Sequence, residues 1–406
     1  MKILIKNGRV IDPANNMDEL LDVFVQDSKI ESVQSGISVG SPDVVIDAVG
    51  MWVVPGLLDM HVHLRDPGQL HKESIKTGTA AAAAGGFTTV CAMPNTTPTC
   101  DCAETVKYVK AQKSTAHVIP IGSITKGLAG MKFADYATMK AAGIAAISDD
   151  GKTVENPVLY EESMQKAKTL NLPILAHCED VRLMGNEAED VIVARDIILA
   201  KAAGVPLHIC HVSTAGAVEL IRQAQKAGQA VTAEVTPHHF TLTYDDMPPL
   251  ENPDAANYKM APPLRSRTDR EAICQALKDG VISVIATDHA PHHADEKASY
   301  EGAMNGIIGL ETAVPLAITE LVEKGILTPS QMVAAMTKNP AKILNLPCGT
   351  LSIGAAADIT IINPTVVHEI NKNRFRSKSK NTPFHGRTVT GRVEYTILEG
   401  RIVYQC

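Results

Sequence analysis

Eight short apolar runs rich in strand-forming residues recur between about residue 53 and residue 290: VVPGLLDMHVH, TTVCAMPN, HVIPIGSI, GIAAISDD, PILAHCED, PLHICHVS, VTAEVTPHH and VISVIATDH. Most end in polar residues and lead into a stretch with helical spacing. SIKTGTAAAAAGG is rich in alanine and closes on Gly85-Gly86, and AGAVELIRQAQKAG places its apolar residues at helical intervals before a terminal glycine. Eight strands alternating with helices over this length predict an α/β fold, a (β/α)8 TIM barrel.

The two ends of the chain follow a different pattern. Residues 1–52 (ILIKNGRVID, DVFVQDSKIESV, VVIDAVG) and 348–406 (GTLSIGAAADITIINP, VTGRVEYTILEGRIVYQC) alternate in short runs punctuated by Gly and Asp turns. Each end offers only a few strands, too few to fold alone, so the two are expected to pair into one small β-sandwich domain beside a barrel spanning 53–347.

Composition narrows the class. At 406 residues, with 45% hydrophobic and 20% charged residues, the chain is a compact globular protein too large for one small core. A net charge of -7 argues against general nucleic-acid affinity while leaving room for a local basic site that takes an acidic metabolite. The basic run from Asn371 to Lys380 reads as a solvated loop. No apolar segment approaches the roughly 20 residues a membrane span needs, and MKILIKNGRVID alternates like a strand rather than resembling a signal peptide, so a cytoplasmic protein without membrane partners is expected. The 8 cysteines form no CxxC pair, and Cys91, Cys178 and Cys210 lie inside apolar runs as small buried hydrophobes do, so no disulfides are expected.

The chemistry collects where strands end. In DMHVHLRDPG, His61 and His63 stand two apart on a strand and project to one face, with Met60 and Val62 facing the other way. A barrel builds its site at the C-terminal ends of its strands, so these histidines join Asp149 and Asp150, His177, His211, His238 and His239, and Asp288, His289 and His292. Any one of these residues has a plain structural reading as a turn or capped strand end. Together, so many imidazoles and carboxylates at one mouth would lie unsatisfied without cations. Counting ligands gives two ions: His61, His63 and Asp288 for one, His177 and His211 for the other, with a carboxylate bridging them at about 3.5 to 4 Å separation. Imidazole and carboxylate without thiolate favour Zn2+, with Mn2+ or Co2+ as substitutes.

The ordered motifs DMHVHLRDPG, AMPNTTP, SDDG, AHCED, CHVST, AEVTPHH, NYKMAPPLR and ATDHAPH, with GTLSIGAAADIT and KNTPF in the tail, resemble those of the bacterial class I dihydroorotases, cyclic amidohydrolases of de novo pyrimidine synthesis. The resemblance runs along nearly the whole chain. It implies that His61, His63, Asp150, His177, His211 and Asp288 are the zinc ligands, and that Asp150 bridges where related amidohydrolases use a carboxylated lysine. It also implies that Arg65 and Asn95 hold the substrate carboxylate, that His292 assists opposite, and that Asn305 and Gly306 line the ring pocket. A guanidinium fork suits a carboxylate. The implied reaction is reversible cyclisation of N-carbamoyl-L-aspartate to L-dihydroorotate, with Asp288 as general acid/base as well as ligand. His238 and His239 are expected to support the ligands through outer hydrogen bonds. A homodimer and an association with aspartate transcarbamoylase also follow from the resemblance.

Three features depart from the pattern of those enzymes. KMAPPLR stands where KMNPPLR is usual, Asn305-Gly306 where Phe-Gly is common, and the connection from His177-Cys178-Glu179-Asp180 to Ala194-Arg195-Asp196 is short. Two rival readings remain: a cyclic amidase for hydantoin or allantoin, in which a lysine is expected at position 150, and a silent scaffold for aspartate transcarbamoylase, which should have lost metal ligands.

Overall fold

Strands from the two ends of the chain meet in one sheet. The structure, a computed structural model, describes residues 1–406. Its first strands are β1 (Lys2–Asp12), β2 (Met17–Gln26), β3 (Lys29–Gln34), β4 (Val44–Asp47) and β5 (Trp52–Pro55). Parallel strands β6 (Leu57–Val62), β7 (Phe87–Ala92), β8 (His117–Pro120), β9 (Ile174–Ala176), β10 (Leu207–Ile209), β11 (Val231–Val235) and β12 (Val284–Ile285) follow, and β13 (Ile359–Glu369), β14 (Thr388–Leu398) and β15 (Arg401–Gln405) complete the chain. The terminal sheet runs β15-β14-β13-β5-β1-β2-β3, with β4 paired to β1. β5 joins the halves: Trp52 pairs with Arg9 of β1 on one side and with Ile362 of β13 on the other. Ile3, Ile5, Val23 and Val25 from one end bury against Ile359, Ile361 and Ile397 from the other. Neither end could cover these side chains alone, which is why residues some 350 apart in the chain share one small core.

The middle of the chain forms two parallel sheets, β6-β7-β8 and β12-β11-β10-β9. Single parallel bridges Gly122↔Ile147 and Ile147↔Ile174 connect one to the other, and Val62↔His289 connects their remaining edges. The run GIAAISDD, expected to be a full strand, supplies only the bridge at Ile147. Its neighbours there are Pro120 and Pro173, whose carbonyls accept from Ala145 and Ile147 but which have no N–H to return the ladder. A separate apolar cluster takes Leu58, Met60, Cys91, Ile121, Ala146, Leu175, Cys210 and Val284 from every one of these segments except β11. Met60 enters that cluster while Val62 enters the larger one, so they do not share a face as expected; pairing is irregular between Asp59 and Val62.

Helices start where capping residues stand. Ser74 caps α1 (Ile75–Ala84) in a reciprocal box with Thr77, and Gly85 ends it. Helices α2 (Ala103–Ala111), α3 (Tyr136–Ala142), α4 (Pro157–Thr169), α5 (Glu187–Ala203) and α6 (Ala215–Lys226) follow in turn. α5 carries Glu187, Glu189 and Asp190 in its first turn and ends at the left-handed Gly204. No helix is long and apolar enough to cross a membrane.

The basic run from Asn371 to Lys380 is a solvated loop only in part: Asn371, Asn373, Arg374, Arg376 and Lys378 are exposed. Its serines turn inward: Ser377 Oγ donates to Glu73 Oε2 at 2.6 Å and Ser379 Oγ to the Lys72 carbonyl at 2.6 Å, while Lys380 Nζ folds back on the carbonyls of Phe375 and Ser377. Lysines alternating with small hydroxyl residues let one side of the segment bury and the other stay wet.

Candidate metal centre

The C-terminal ends of the parallel strands deliver the site. His61 lies in β6 and His63 just beyond it; Asp150 follows the Ile147 bridge, His177 follows β9, His211 follows β10 and Asp288 follows β12. Arg65, His211 and Asp288 adopt positive φ of 59°, 33° and 46°. Three non-glycine residues in the left-handed region at one location are backbone strain concentrated where side chains must be aimed.

Asp150 occupies the middle of this group. Its Oδ1 lies 3.2 Å from His61 Nε2, 3.4 Å from His177 Nδ1 and 3.5 Å from His211 Nε2, and its Oδ2 lies 3.3 Å from His63 Nε2. Asp288 Oδ1 is 3.0 Å from His63 Nε2 and 3.6 Å from His61 Nε2. All six residues are buried. Three sets converge ligand atoms closely enough to share an ion: His61, Asp150, His211; His61, His63, Asp288; and His61, Cys210, Glu234. Burial alone would raise the Asp150 carboxyl's pKa, but the surrounding imidazoles hold it well below the usual carboxylate range.

These residues fit a divalent cation on a specific observation. His61 Nε2 and Asp150 Oδ1 are both buried and make no hydrogen bond, although they face each other. Leaving two such atoms unpaired costs free energy that a shared cation would recover. The far nitrogens fix the tautomers. His61 Nδ1 meets Glu234 Oε1 at 2.6 Å, His63 Nδ1 meets Asn95 Oδ1 at 2.8 Å, and His177 Nε2 lies 3.5 Å from Glu179 Oε2. A ring that donates through one nitrogen keeps the other unprotonated for a metal.

The neighbouring aspartate is used differently. Asp149 accepts from the backbone of Ile124 and Thr125 and from the Thr125 hydroxyl, so it braces a loop instead of entering the cluster. His238 and His239 do not supply the expected outer hydrogen bonds. His239 bonds Thr236 and the Pro262 carbonyl, and His238 Nε2 has no partner. Burial pushes His238 down to about 4, so it is neutral at pH 7. The outer positions fall to Glu234, Asn95 and Glu179. Glu234 and Glu179 were missed in the sequence: the glutamate in AEVTPHH was legible only as a carboxylate inside an apolar strand, which needs a buried partner. Glu234 has two, His61 and His208, the latter 3.1 Å away.

A cleft of about 570 Å³ opens over this cluster and is lined by Arg65, Asn95, Lys259, Ala261, Asp288, His292, Asn305 and Gly306 among others. Arg65 is buried, its Nε donates to the Pro291 carbonyl at 3.2 Å, and its Nη2 lies 3.2 Å from His292 Nε2. Burial lowers its pKa to about 10, still charged at neutral pH. His292 Nε2 is 2.9 Å from the Asn305 carbonyl, and burial with the nearby Arg65, Lys72 and Lys297 brings His292 down to about 3. Gly68 lets the loop after Arg65 pack on the loop after Asn95: at φ 92° it brings the backbone so near the Thr97 carbonyl that a Cβ would sit 1.9 Å from it. The cleft thus joins a buried floor of imidazoles and carboxylates to a wall carrying a fixed positive charge.

A buried cluster of imidazoles and carboxylates able to hold a divalent cation, at the strand ends of a parallel α/β frame and below an anion-ready cleft, is the arrangement of a metal-dependent hydrolase. The family model described as "Amidohydrolase family" matches residues 52–403, and the chain belongs to that family. It is 46% identical over 429 residues to a dihydroorotase of Syntrophus aciditrophicus (strain SB), covering 100% of both chains. It is 47% identical over 428 residues to a dihydroorotase of Syntrophotalea carbinolica, covering 100% of this chain and 99% of that one. Among solved structures, L-hydantoinase (dihydropyrimidinase) from Arthrobacter aurescens superposes with a TM-score of 0.90 at 27% identity, covering 99% of this chain and 96% of the other.

Proposed function

We propose that the cleft catalyses the reversible interconversion of N-carbamoyl-L-aspartate and L-dihydroorotate. The chain is a dihydroorotase, a cyclic amide hydrolase of pyrimidine synthesis, and its full-length relatives carry that name. Two Zn2+ ions per chain, with Mn2+ or Co2+ able to replace them, would be held by His61, His63, Asp150, His177, His211 and Asp288, with Asp150 as the bridge. The observation that carries this reading is one carboxylate within 3.5 Å of four imidazoles, His63 on one oxygen and the other three on its partner. Such a pair of ions supplies a water of lowered pKa and polarises a carbonyl.

The protein's own groups then have distinct tasks. In hydrolysis a C–O bond forms at the ring carbonyl and the ring C–N bond breaks, so one proton must leave the attacking water and one must reach the departing nitrogen. Asp288 lines the cleft and carries that proton from one to the other. Arg65 and Asn95 hold the substrate carboxylate, His292 closes the far side, and Asn305 and Gly306 border the ring. Ring closure consumes the protonated substrate carboxyl, so acid favours closure and alkali favours hydrolysis.

The two parallel sheets, joined through Ile147 and through Val62–His289, support a closed (β/α)8 barrel spanning 53–347. Beside it, the one terminal sheet formed by 1–52 and 348–406, with β5 in its interior, wraps its own core as a β-sandwich domain. A homodimer, an association with aspartate transcarbamoylase and a cytoplasmic location complete the proposal. Hydantoinases share the fold, so the substrate is tested directly by turnover of dihydroorotate, hydantoin and allantoin on metal-analysed protein. Dihydroorotate should have the highest kcat/KM, because losing a charge-assisted carboxylate pair costs about 1.5 to 3 kcal/mol. Faster turnover of either other ring would overturn the assignment.

A further inference from the structure

The residue that joins the substrate-facing loops belongs to neither of them. Asn381 arrives from the C-terminal segment, is buried, and spends its whole carboxamide on backbone groups of those loops. Its Oδ1 accepts from the His292 N–H at 3.1 Å, and its Nδ2 donates to the carbonyls of Ala290 at 3.1 Å and Gly306 at 3.0 Å. Its own carbonyl accepts from the Ile308 N–H at 3.0 Å. The loops touch here: a Cβ on Gly306 would lie 2.7 Å from Ala290 Cβ. Between the two clamped residues Ala290 and His292 stands Pro291, whose carbonyl accepts from Arg65 Nε. One amide therefore fixes the backbone that orients Arg65, His292 and the Asn305-Gly306 turn.

We propose that Asn381 is a positioning residue that sets the spacing of the carboxylate-binding groups, acting through the peptides at 290–292 and 306. The proposal rests on the reading of Arg65, His292, Asn305 and Gly306 as substrate contacts. Only a primary amide offers two donors and an acceptor in this plane; aspartate would turn an anionic oxygen toward two carbonyls, and an apolar residue would leave three backbone groups unpaired. The segment is anchored independently upstream, where Glu73 accepts from Ser377 Oγ and the Lys378 N–H and Ser379 binds the Lys72 carbonyl. Changing Asn381 should thus alter the cleft wall without detaching the segment.

The test measures kcat, KM for dihydroorotate, metal content and melting temperature in Asn381→Ala, Asn381→Asp and the milder Asn381→Ser, which keeps one donor and one acceptor. A positioning role predicts KM raised about tenfold in Asn381→Ala and less in Asn381→Ser, with kcat within about threefold and metal content as in wild type. Because it acts through the Arg65 pocket, Asn381→Ala should add little to the KM of Arg65→Ala. A lowered melting temperature with unchanged KM in both Asn381→Ala and Asn381→Ser, or KM effects that multiply with Arg65→Ala, would overturn it. If Arg65→Ala raises KM and the Asn381 variants do not, the proposal alone is lost. If Arg65→Ala leaves KM unchanged, the carboxylate reading fails and the proposal falls with it.

Discussion

The parallel strands end in two cavities of similar size and opposite character. At their C-terminal ends the cleft of about 570 Å³ has carboxylates and imidazoles for a floor, two of whose buried atoms lack partners. At the other end a cavity of about 500 Å³ is lined by Leu172, Pro173, Val205, Pro206, Leu207, Asn339 and Lys342, with no acidic residue. The buried His208 there bonds Thr232 Oγ1 and Glu234 Oε2, and Asn339 Nδ2 donates to the Ser283 carbonyl at 2.8 Å. Concavity is common to both ends, and unsatisfied, mutually oriented titratable groups are found at one. That difference, more than volume, marks where chemistry happens.

If the comparison holds, damage should be severe at the C-terminal ends and slight at the others. The largest effect is expected for Asp288→Asn, which removes the proposed proton carrier. Steady-state rates of hydrolysis and closure should fall together by about 10² to 10⁴-fold. Near-normal hydrolysis with both metals bound would exclude Asp288 as carrier.

Glu234→Gln comes next. The carboxylate reaches both His61 and His208, and although burial opposes its charge, those two histidines hold it far below the usual range. Removing the charge should weaken metal binding or activity by about 10 to 100-fold, read by competition with a chelator. An unchanged metal affinity would show that the link to His61 carries no functional weight.

A smaller effect concerns pH. His292 takes up its proton below about pH 3 in the fold, against about 6.5 in the unfolded chain. Between those values the unfolded chain binds more protons, so stability falls as pH drops through that window. Melting curves from pH 7 to 5 should therefore decline more steeply for wild type than for His292→Asn. Parallel slopes would show that His292 is not held neutral.

The smallest effect is expected at the opposite cavity. Asn339→Ala loses one hydrogen bond and should cost about 0.5 to 1.5 kcal/mol of stability, measured by denaturant unfolding. Its kcat/KM should stay within about twofold of wild type. A larger kinetic loss would mean that the two ends are coupled.

How much of this was legible in the sequence depends on whether the signal was local. The apolar runs, the glycine after the alanine helix and the HxH pair carry their meaning within a few residues, and β7 to β12, α1 and the His61–His63 pair lie where they indicate, whereas VVPGLLDMHVH is divided between β5 of the terminal sheet and β6. The GIAAISDD run was read as a strand because its own residues favour one; the limit comes from Pro120 and Pro173, which are distant in sequence. The choice between Asp149 and Asp150 rested on resemblance, since both are aspartates at a strand end and only the donors of Ile124 and Thr125 separate them. His238 and His239 look like ligands by type, yet their partners lie elsewhere. Glu234 shows only as a carboxylate inside an apolar strand and Asn381 only as part of KNTPF, because the partners that define their roles are distant in sequence.

The number of ions the cluster holds decides whether Asp150 bridges a pair. Metal-free protein titrated with Zn2+, with bound metal and dihydroorotate turnover followed together, should gain activity up to two equivalents per chain and no further, and Asp150→Ala should retain neither tight site. Full activity at one equivalent or fewer, or two tightly bound ions in Asp150→Ala, would contradict it.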